Sequence, residues 1–157
     1  MDKQRILSKI DELNSYLEEL GEIPITDFEE YARSKKDKRI CERLLQISVE
    51  TVLDICNILV SELKLGLPFD EDDLFKKLEA KKIITKELSI TLKEMKGFRN
   101  ILVHRYGGVD DEKVFEILSE KLNDFDKFKG EILKFLKNSN NKKNLKAKQK
   151  SATYLNT

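Results

Sequence analysis

The stretch RICERLLQISVETVLDICNILVSEL, residues 39–63, repeats its apolar side chains at spacings of three and four. That spacing places them on one face of an α-helix, the pattern of a helix that packs along a core. The sequence predicts a single helix from about Phe28 to Leu65, with a bend or frayed turn allowed in the charged segment 35–39. Gly66 and Pro68 then end it. The face consists of Leu44, Leu45, Ser48, Val49, Val52, Cys56, Leu59, Val60 and Leu63.

The segments on both sides carry the same period. Residues 2–20 predict a helix that Gly21 ends, and residues 70–82 predict a short helix with acids in its first turn. A further helix starts near Thr85, and Asp110 can cap a last long helix that runs to about Lys137. The predicted fold is all-α: an up-and-down antiparallel four-helix bundle with one additional short helix, forming a single domain over residues 1–137.

Residues 138–157, NSNNKKNLKAKQKSATYLNT, form a basic tail. The tail has five lysines and no Asp or Glu, so residues 1–137 carry a net charge of −4 within a total of +1. Its composition cannot bury enough apolar surface to offset ordering, so we expect it to be disordered. Because the body is acidic, any contact with RNA would be local, transient or aided by the tail.

Composition and termini exclude several classes of protein. Uninterrupted apolar runs are only a few residues long, well below what a membrane span needs, and the first residues do not resemble a signal peptide, so we expect a cytoplasmic protein. Cys41 and Cys56 lie about 22 Å apart along one predicted helix, which excludes a disulfide between them and favours two buried thiols. Two such cysteines and one histidine cannot form a zinc-type ligand set, and no metal or cofactor is expected.

The stretch GFRNILVHRYGG, residues 97–108, holds the single histidine of the chain. On a helix, Arg99 and Tyr106 share one face, and Asn100 and His104 share another. His104 would point about 160° away from Tyr106, so these groups converge only if the helix unwinds around residues 103–105. The two glycines that follow make such unwinding inexpensive.

Arginine, histidine, an amide and a phenol, without a nucleophilic Ser or Cys pair, suit phosphodiester cleavage in RNA. The substrate supplies the 2′-hydroxyl nucleophile, imidazole can take or give a proton, and a guanidinium can hold the phosphate. The reaction benefits from both a base and an acid, but one chain offers one imidazole. A two-fold homodimer with a composite site would supply two. The alternative is that these residues are structural. His104 would interact with the helix dipole, Arg99 would form a surface ion pair, and Tyr106 would lie at the edge of the core.

The motif Arg99-Asn100-x-x-x-His104-x-Tyr106 resembles the R-x4-H-x-Y motif of the HEPN superfamily. The strings RICERLLQISVETVLDICNILVSELKLGLP, DDLFKKLEAKKIIT and LKEMKGFRNILVHRYGGVDDEKVFEIL are similar to the HepT-like toxins over about residues 38–136. This resemblance implies a helical bundle that dimerises with its motifs facing each other. It also implies a metal-independent endoribonuclease, the toxin of a toxin–antitoxin pair whose partner is a MntA-type minimal nucleotidyltransferase.

The resemblance also implies roles for individual residues. Arg99 and His104 would be the catalytic pair, Asn100 would orient them or the phosphate, and Tyr106 would accept AMP from the antitoxin. An added anionic group beside the cleft would repel an RNA backbone. Arg105 and the pair Gly107-Gly108 depart from the pattern common in the family: the arginine adds charge near the cleft or outside it, and the glycines leave the role of Tyr106 in question.

Four residues of the long helix are candidates for lining the cleft, with a solvated or ion-paired helix face as the alternative. The four residues are Arg39, Arg43, Gln46 and Asp54. If Asp54 is buried, it needs a donor such as an arginine.

Two other functions remain open: a non-catalytic HEPN module that binds a nucleotide or docks a partner, and a dimerisation scaffold for the nucleotidyltransferase.

Overall fold

The structure is a computed structural model that describes residues 1–104 and 108–155, with side chains up to residue 151. Within these ranges it contains α-helices and one π-helical turn and no strand, which confirms the all-α class. The helices are α1 Lys3–Glu22, α2 Phe28–Arg33, α3 Lys35–Glu62, α4 Glu71–Ala80, α5 Lys86–His104, α6 Asp111–Glu116 and α7 Asn123–Leu155, and the π-helical turn is Ile117–Lys121.

The four long helices, α1, α3, α5 and α7, form the predicted antiparallel bundle. Along α1 the residue numbers rise while those of its contacts on α3 and α7 fall, so α1 runs opposite to both. A single cavity is lined by the middle of α5 and the start of α7, and Thr85 before α5 contacts Glu131 further along α7, so these two helices also run in opposite directions. The contacts of α1 are Asp2 with Glu62, Lys9 with Asp54, Lys3 with Leu136 and Asn14 with Lys129.

Helix α3 lies at the centre of the core and packs against α1, α2, α4 and α5. By length and hydropathy it could cross a membrane, but 67% of its most apolar window is buried inside the protein, as in the core helix of a bundle. Both cysteines are fully buried on this helix, as expected. The core residues with at most 1% exposure include Ile6, Leu13, Leu45, Ile55, Leu59, Leu74, Leu78, Leu92, Leu102, Phe128 and Ile132.

The prediction of one helix from Phe28 to Leu65 is wrong in one respect, because the helix is interrupted at Ser34. Ser34 has an extended backbone, and its hydroxyl accepts a hydrogen bond from the Asp37 backbone N–H at 3.2 Å, which makes it the N-cap of α3. The preceding turn becomes the short helix α2, whose Tyr31 is buried beside Phe115. A side-chain hydroxyl that caps a new helix therefore ends the old one within the highly charged segment.

The last predicted helix also differs from the structure. Asp110 caps α6 as expected, but the π-helical turn separates α6 from α7. Counting α2 and α6, the described chain has three short helices rather than one. At the other end, α7 continues through the basic tail to Leu155, where disorder was expected. The segment after Gly130 contains no glycine or proline that would stop a helix, so the helix extends without tertiary support.

Candidate active site

Arg99 lies on the side of α5 that faces α4, where it is held by Glu71. Its Nη2 donates to both carboxylate oxygens of Glu71, at 2.5 and 2.7 Å. The Arg99 side chain is only 18% exposed, against 37% for Glu71. The Nε of Arg99 is buried and has no hydrogen-bond partner among the described residues. One nitrogen of the guanidinium is therefore occupied, and a buried donor on the same group remains unused.

A second ion pair joins the same two helices beside the first. Lys96, one turn before Arg99, donates to Asp72 at 2.7 Å, and this hydrogen bond lowers the pKa of the Asp72 carboxyl. The acids of the α4 first turn were predicted only as partners of the helix dipole. The sequence did contain a signal for this pairing. Glu71 and Asp72 are adjacent acids at the start of α4, and Lys96 and Arg99 are cations three positions apart on α5. Glu71 is thus a residue of the site that sequence analysis missed.

His104 is the last residue of α5 and is exposed, and Asn100, one turn earlier, is half-buried. The helix remains intact through His104, so the unwinding expected around residues 103–105 does not include the first two of them. In an intact helix the side chains of Arg99 and His104 leave the axis about 140° apart. Arg105 and Tyr106 lie outside the described residues, as does Gly107.

The outward side of α5 carries a row of residues that ends at His104. We call Ile90, Gly97, Ile101 and His104 the outer stripe, since spacings of seven, four and three keep them on one face. Ile90 and Ile101 are 51% and 50% exposed, and a Cβ placed on Gly97 would meet no atom within 4 Å. The stripe therefore combines two exposed apolar side chains with space for a close neighbour beside the histidine, and the exposed charges of Lys93 and Glu94 lie on the same side of the helix.

A charged cavity of about 370 Å³ lies beside residues 108–111, the segment that follows the motif. Its walls are the start of α3, with Lys35, Lys38 and Arg39, and the segment from Gly108 to Asp111. Lys38 pairs with Asp111 at 3.2 Å, while the Arg39 side chain remains 67% exposed. Of the residues proposed to line the cleft, Arg39 is the one that the structure places beside the segment following Tyr106.

Glu42 is a buried acid at the inner wall of this cavity and was not predicted. Its side chain is 4% exposed, and one oxygen lies 3.5 Å from Nη1 of Arg39. Its position continues the apolar stripe through Leu45 and Val49, which could have marked it as buried, since a buried carboxylate requires a partner. Its negative charge helps to raise the pKa of the Tyr31 hydroxyl, although burial is the main cause.

The remaining candidates on α3 fall further from the motif. Arg43 is exposed, and Gln46 donates to Glu50 on its own helix at 3.0 Å. Asp54 is 55% exposed and pairs with Lys9 of α1 at 3.5 Å, so it needs no arginine. Because Asp54 lies just over two turns beyond Gln46 and on the side of α1, one protomer does not bring it to Arg99. Among the described residues, no three His, Cys, Asp or Glu side chains could together hold a metal ion.

An all-helical bundle in which an arginine and a histidine stand five residues apart at the end of one bundle helix fits the HEPN pattern. Residues 6–132 match the family described as Ribonuclease HepT-like, and the chain belongs to this family.

Relatives of known description support the same assignment. The chain is 29% identical over 131 residues to a tRNA nuclease HepT from Aphanizomenon flos-aquae, covering 83% of this chain and 89% of that protein. It is 37% identical over 84 residues to an mRNA nuclease HepT from Shewanella oneidensis, covering 54% and 63%. Among solved structures it resembles a tri-AMPylated Shewanella oneidensis HEPN toxin in complex with its MNT antitoxin. The TM-score is 0.75 at 28% identity, with 81% of this chain and 95% of that chain covered.

Proposed function

We propose that this protein is the endoribonuclease toxin of a HepT/MntA-type toxin–antitoxin pair. It cleaves RNA without a metal ion at a composite site formed across a homodimer. Its partner, a minimal nucleotidyltransferase, inactivates it by transferring AMP to Tyr106. The observation that carries this proposal is the placement of Arg99 and His104 on the last turns of one helix, in a chain of the HepT-like family.

The chemistry needs only groups that these residues and the substrate provide. The ribose 2′-oxygen attacks the adjacent phosphorus, its proton passes to a base, and the bond to the 5′-oxygen breaks as that oxygen gains a proton from an acid. The products are a 2′,3′-cyclic phosphate and a 5′-hydroxyl. Imidazole can serve as base or acid, and the Arg99 guanidinium can hold the charge that builds on the phosphoryl oxygens. Asn100 lies on the His104 side of α5 and can orient the phosphate.

The geometry of α5 supports the proposed homodimer. Arg99 and His104 leave the helix about 140° apart, so one chain does not direct both at a single phosphate. The outer stripe offers two exposed apolar side chains and an open glycine, which would let two copies of α5 approach closely with their histidines adjacent. The shared cleft would then contain two imidazoles, enough for both an acid and a base, and each Arg99 would reach it only when its side chain leaves Glu71.

Control by AMP transfer is supported by the charged cavity beside residue 108. Its lysines and Arg39 outnumber its two acids, so the entrance can accept the phosphate of an adenylate attached to the preceding tyrosine. An adenylate there would add negative charge and bulk where an RNA backbone has to pass. Incubation with the cognate nucleotidyltransferase and ATP should add one or more AMP groups in the intact mass, and Tyr106→Phe should remove the first addition.

The decisive test is cleavage of RNA in excess EDTA. We expect the wild type to cleave and to leave 2′,3′-cyclic phosphate ends, whereas His104→Ala should lose at least about 100-fold of the rate. A matched control is Asn57→Ala, an exposed polar residue of α3 that lies beside Arg5 and Lys9 of α1. Equal activity in the wild type and in His104→Ala would reveal a contaminating nuclease and contradict the proposal.

The shared site has its own test. Subunits with Arg99→Ala and subunits with His104→Ala, each inactive alone, are co-expressed with different tags and purified as mixed dimers. Partial recovery of cleavage is expected, because a mixed dimer retains one guanidinium and one imidazole at the common cleft. Mixed dimers as inactive as the single variants would show that the catalytic groups are not shared.

One observation favours a second function, a non-catalytic module that docks the nucleotidyltransferase. Arg99 is mostly buried and already engaged by Glu71, which is also how a purely structural arginine would behave. If RNA is not cleaved while a stable complex with the nucleotidyltransferase forms in the Arg99→Ala and His104→Ala variants as readily as in the wild type, this second function is the correct one.

A further inference from the structure

We propose that the basic tail is an arm that binds the phosphate backbone of RNA and holds the substrate near the protein. In the structure, the tail continues α7 beyond the bundle. The last buried side chain of α7 is Leu136, and every residue from Asn140 to Ser151 is exposed. At 1.5 Å per residue, the helix from residue 138 to Leu155 extends about 27 Å.

The charges of the arm suit a uniform polyanion. Five lysines without any acid stand on a body of net charge −4, so the tail is the longest stretch of the chain that carries positive charge and no acid. The lysines are Lys142, Lys143, Lys146, Lys148 and Lys150. On an ideal helix they spread about 220° around the axis, which leaves no apolar face of the kind that a membrane-surface helix needs.

Among its 20 residues the arm has three large apolar or aromatic groups, Leu145, Tyr154 and Leu155, and two of them stand near its end, beyond the last lysine. Protein interfaces require an apolar, well-packed centre, whereas binding to phosphates requires only cations that release counterions. This composition therefore favours RNA over an acidic protein surface. The family match ends at residue 132, so the arm lies outside the part of the chain that the family shares.

The position of the arm determines what it can do. Leu136, the last buried residue of α7, lies beside the start of α1, because Lys3 donates to its carbonyl, whereas α5 runs opposite to α7 and ends at His104. The arm therefore leaves from the end of the bundle away from the candidate active site. It can raise the local concentration of RNA but cannot contact the bond being cleaved in the same protomer. We expect it to act on binding and on long RNA, not on the rate of the chemical step.

The binding experiment uses the full chain and a long single-stranded RNA in which every ribose is 2′-O-methylated. This RNA has no free 2′-hydroxyl, so binding is measured without cleavage, by fluorescence anisotropy over a range of salt concentrations. One variant changes the five tail lysines to glutamine. A second variant makes the same change in charge on the body, at five exposed lysines outside the outer stripe: Lys76, Lys81, Lys82, Lys86 and Lys134.

We expect the tail variant to lose at least about tenfold in affinity near 0.1 M salt, and its salt slope to fall by up to about 3.5. The body variant should lose about twofold or less. Equal losses in the two variants would mean that only net charge matters, and no loss in the tail variant would mean that the arm does not bind RNA. Binding of the tail to anionic vesicles but not to RNA would also overturn the proposal.

The proposed role of the arm depends on the proposed nuclease function, but experiments can contradict either proposal without contradicting the other. If the tail binds RNA and the wild type cleaves none in EDTA, the nuclease proposal fails and the arm stands. If unmodified RNA is cleaved and the tail variant cleaves long RNA with an unchanged KM, the arm fails and the nuclease stands. With both correct, the tail variant raises KM for long RNA, leaves kcat unchanged, and cleaves a short oligonucleotide like the wild type.

Discussion

Glu71, the first residue of α4, holds the guanidinium of Arg99 on α5 with both carboxylate oxygens on one nitrogen. A phosphate that needs the same guanidinium therefore competes with a carboxylate of the protein's own chain. Because the Glu71 side chain is 37% exposed, the pair is screened by solvent and an incoming anion can displace it. The site accordingly combines a candidate catalytic arginine with an internal competitor.

Replacing Glu71 by glutamine should strengthen the binding of RNA. Glu71→Gln keeps an oxygen acceptor near Arg99 but removes the competing charge, so affinity for 2′-O-methylated RNA should rise by about two- to fivefold, the range of a partly exposed ion pair. Asp72→Asn is the matched control, because it breaks the neighbouring pair between the same helices without touching Arg99. If both substitutions change affinity equally, competition at Arg99 is not the cause.

Placing a large side chain at Gly97 should prevent dimerisation while leaving the protomer folded. A Cβ at Gly97 meets no atom within 4 Å, so Gly97→Arg fits the protomer but fills the space that the outer stripe offers to a second copy. Sedimentation and circular dichroism should show a folded monomer without nuclease activity. Gly130→Arg is the control, since that helical glycine is equally open and lies on α7. A dimeric Gly97→Arg would place the interface elsewhere.

Removing the cap at Ser34 should lower stability without affecting Arg99 or His104. Ser34→Ala loses the hydrogen bond to the Asp37 N–H, at a cost of about 1 kcal/mol in the free energy of unfolding. Ser34→Asp supplies another capping oxygen and should retain most of the stability. Urea denaturation of the three proteins measures the difference. An unchanged midpoint for Ser34→Ala would show that the break between α2 and α3 does not depend on this cap.

The two buried thiols should resist alkylation in the folded protein. Burial raises the pKa of Cys41 from its ordinary 9.0 to about 11, and burial raises that of Cys56 further. Near pH 8 both remain thiols, so intact mass after treatment with iodoacetamide should show no addition unless the chain is first denatured. Rapid modification of the native protein would contradict this expectation.

The raised pKa of Cys41 also makes the free energy of unfolding depend on pH. Below pH 9.0 the thiol is protonated in the folded and the unfolded chain, and its contribution is fully present. As the pH rises towards about 11, the unfolded chain loses the proton first, so stability falls over this window. The Cys41→Ala variant should therefore lose less stability than the wild type between these values. Parallel loss in both proteins would show that Cys41 does not titrate as expected.

The local features of this fold are largely predictable from the sequence. The three-and-four spacing located the core helices, since burial of one helix face imposes that period on the residues that share it. Asp110 and the acids before Leu74 marked helix starts, because capping is a local hydrogen bond. Ser34 was missed because the apolar pattern of the long helix continues on both sides of it, and one hydroxyl then decides where the helix begins.

The candidate site was predictable only in part for the same reason. The motif residues are close in the sequence, so their spacing and chemistry could be recognised along the chain. Glu71 and Arg99 are 28 residues apart, and Asp54 and Lys9 are 45 apart. Which cation pairs with which acid depends on how the helices pack against each other. The periodicity of residues within one helix does not predict these pairs.

The sequence by itself determined most of the helical segments within residues 1–137, which faces are buried and which residues form the motif, because these follow from interactions within a few turns of one helix. Only the tertiary structure decided that Arg99 faces Glu71 while His104 faces outward beside Gly97, and that the basic tail leaves the bundle at the opposite end. Those relationships depend on the packing of separate helices, where direction and rotation are set by side chains far apart in the chain.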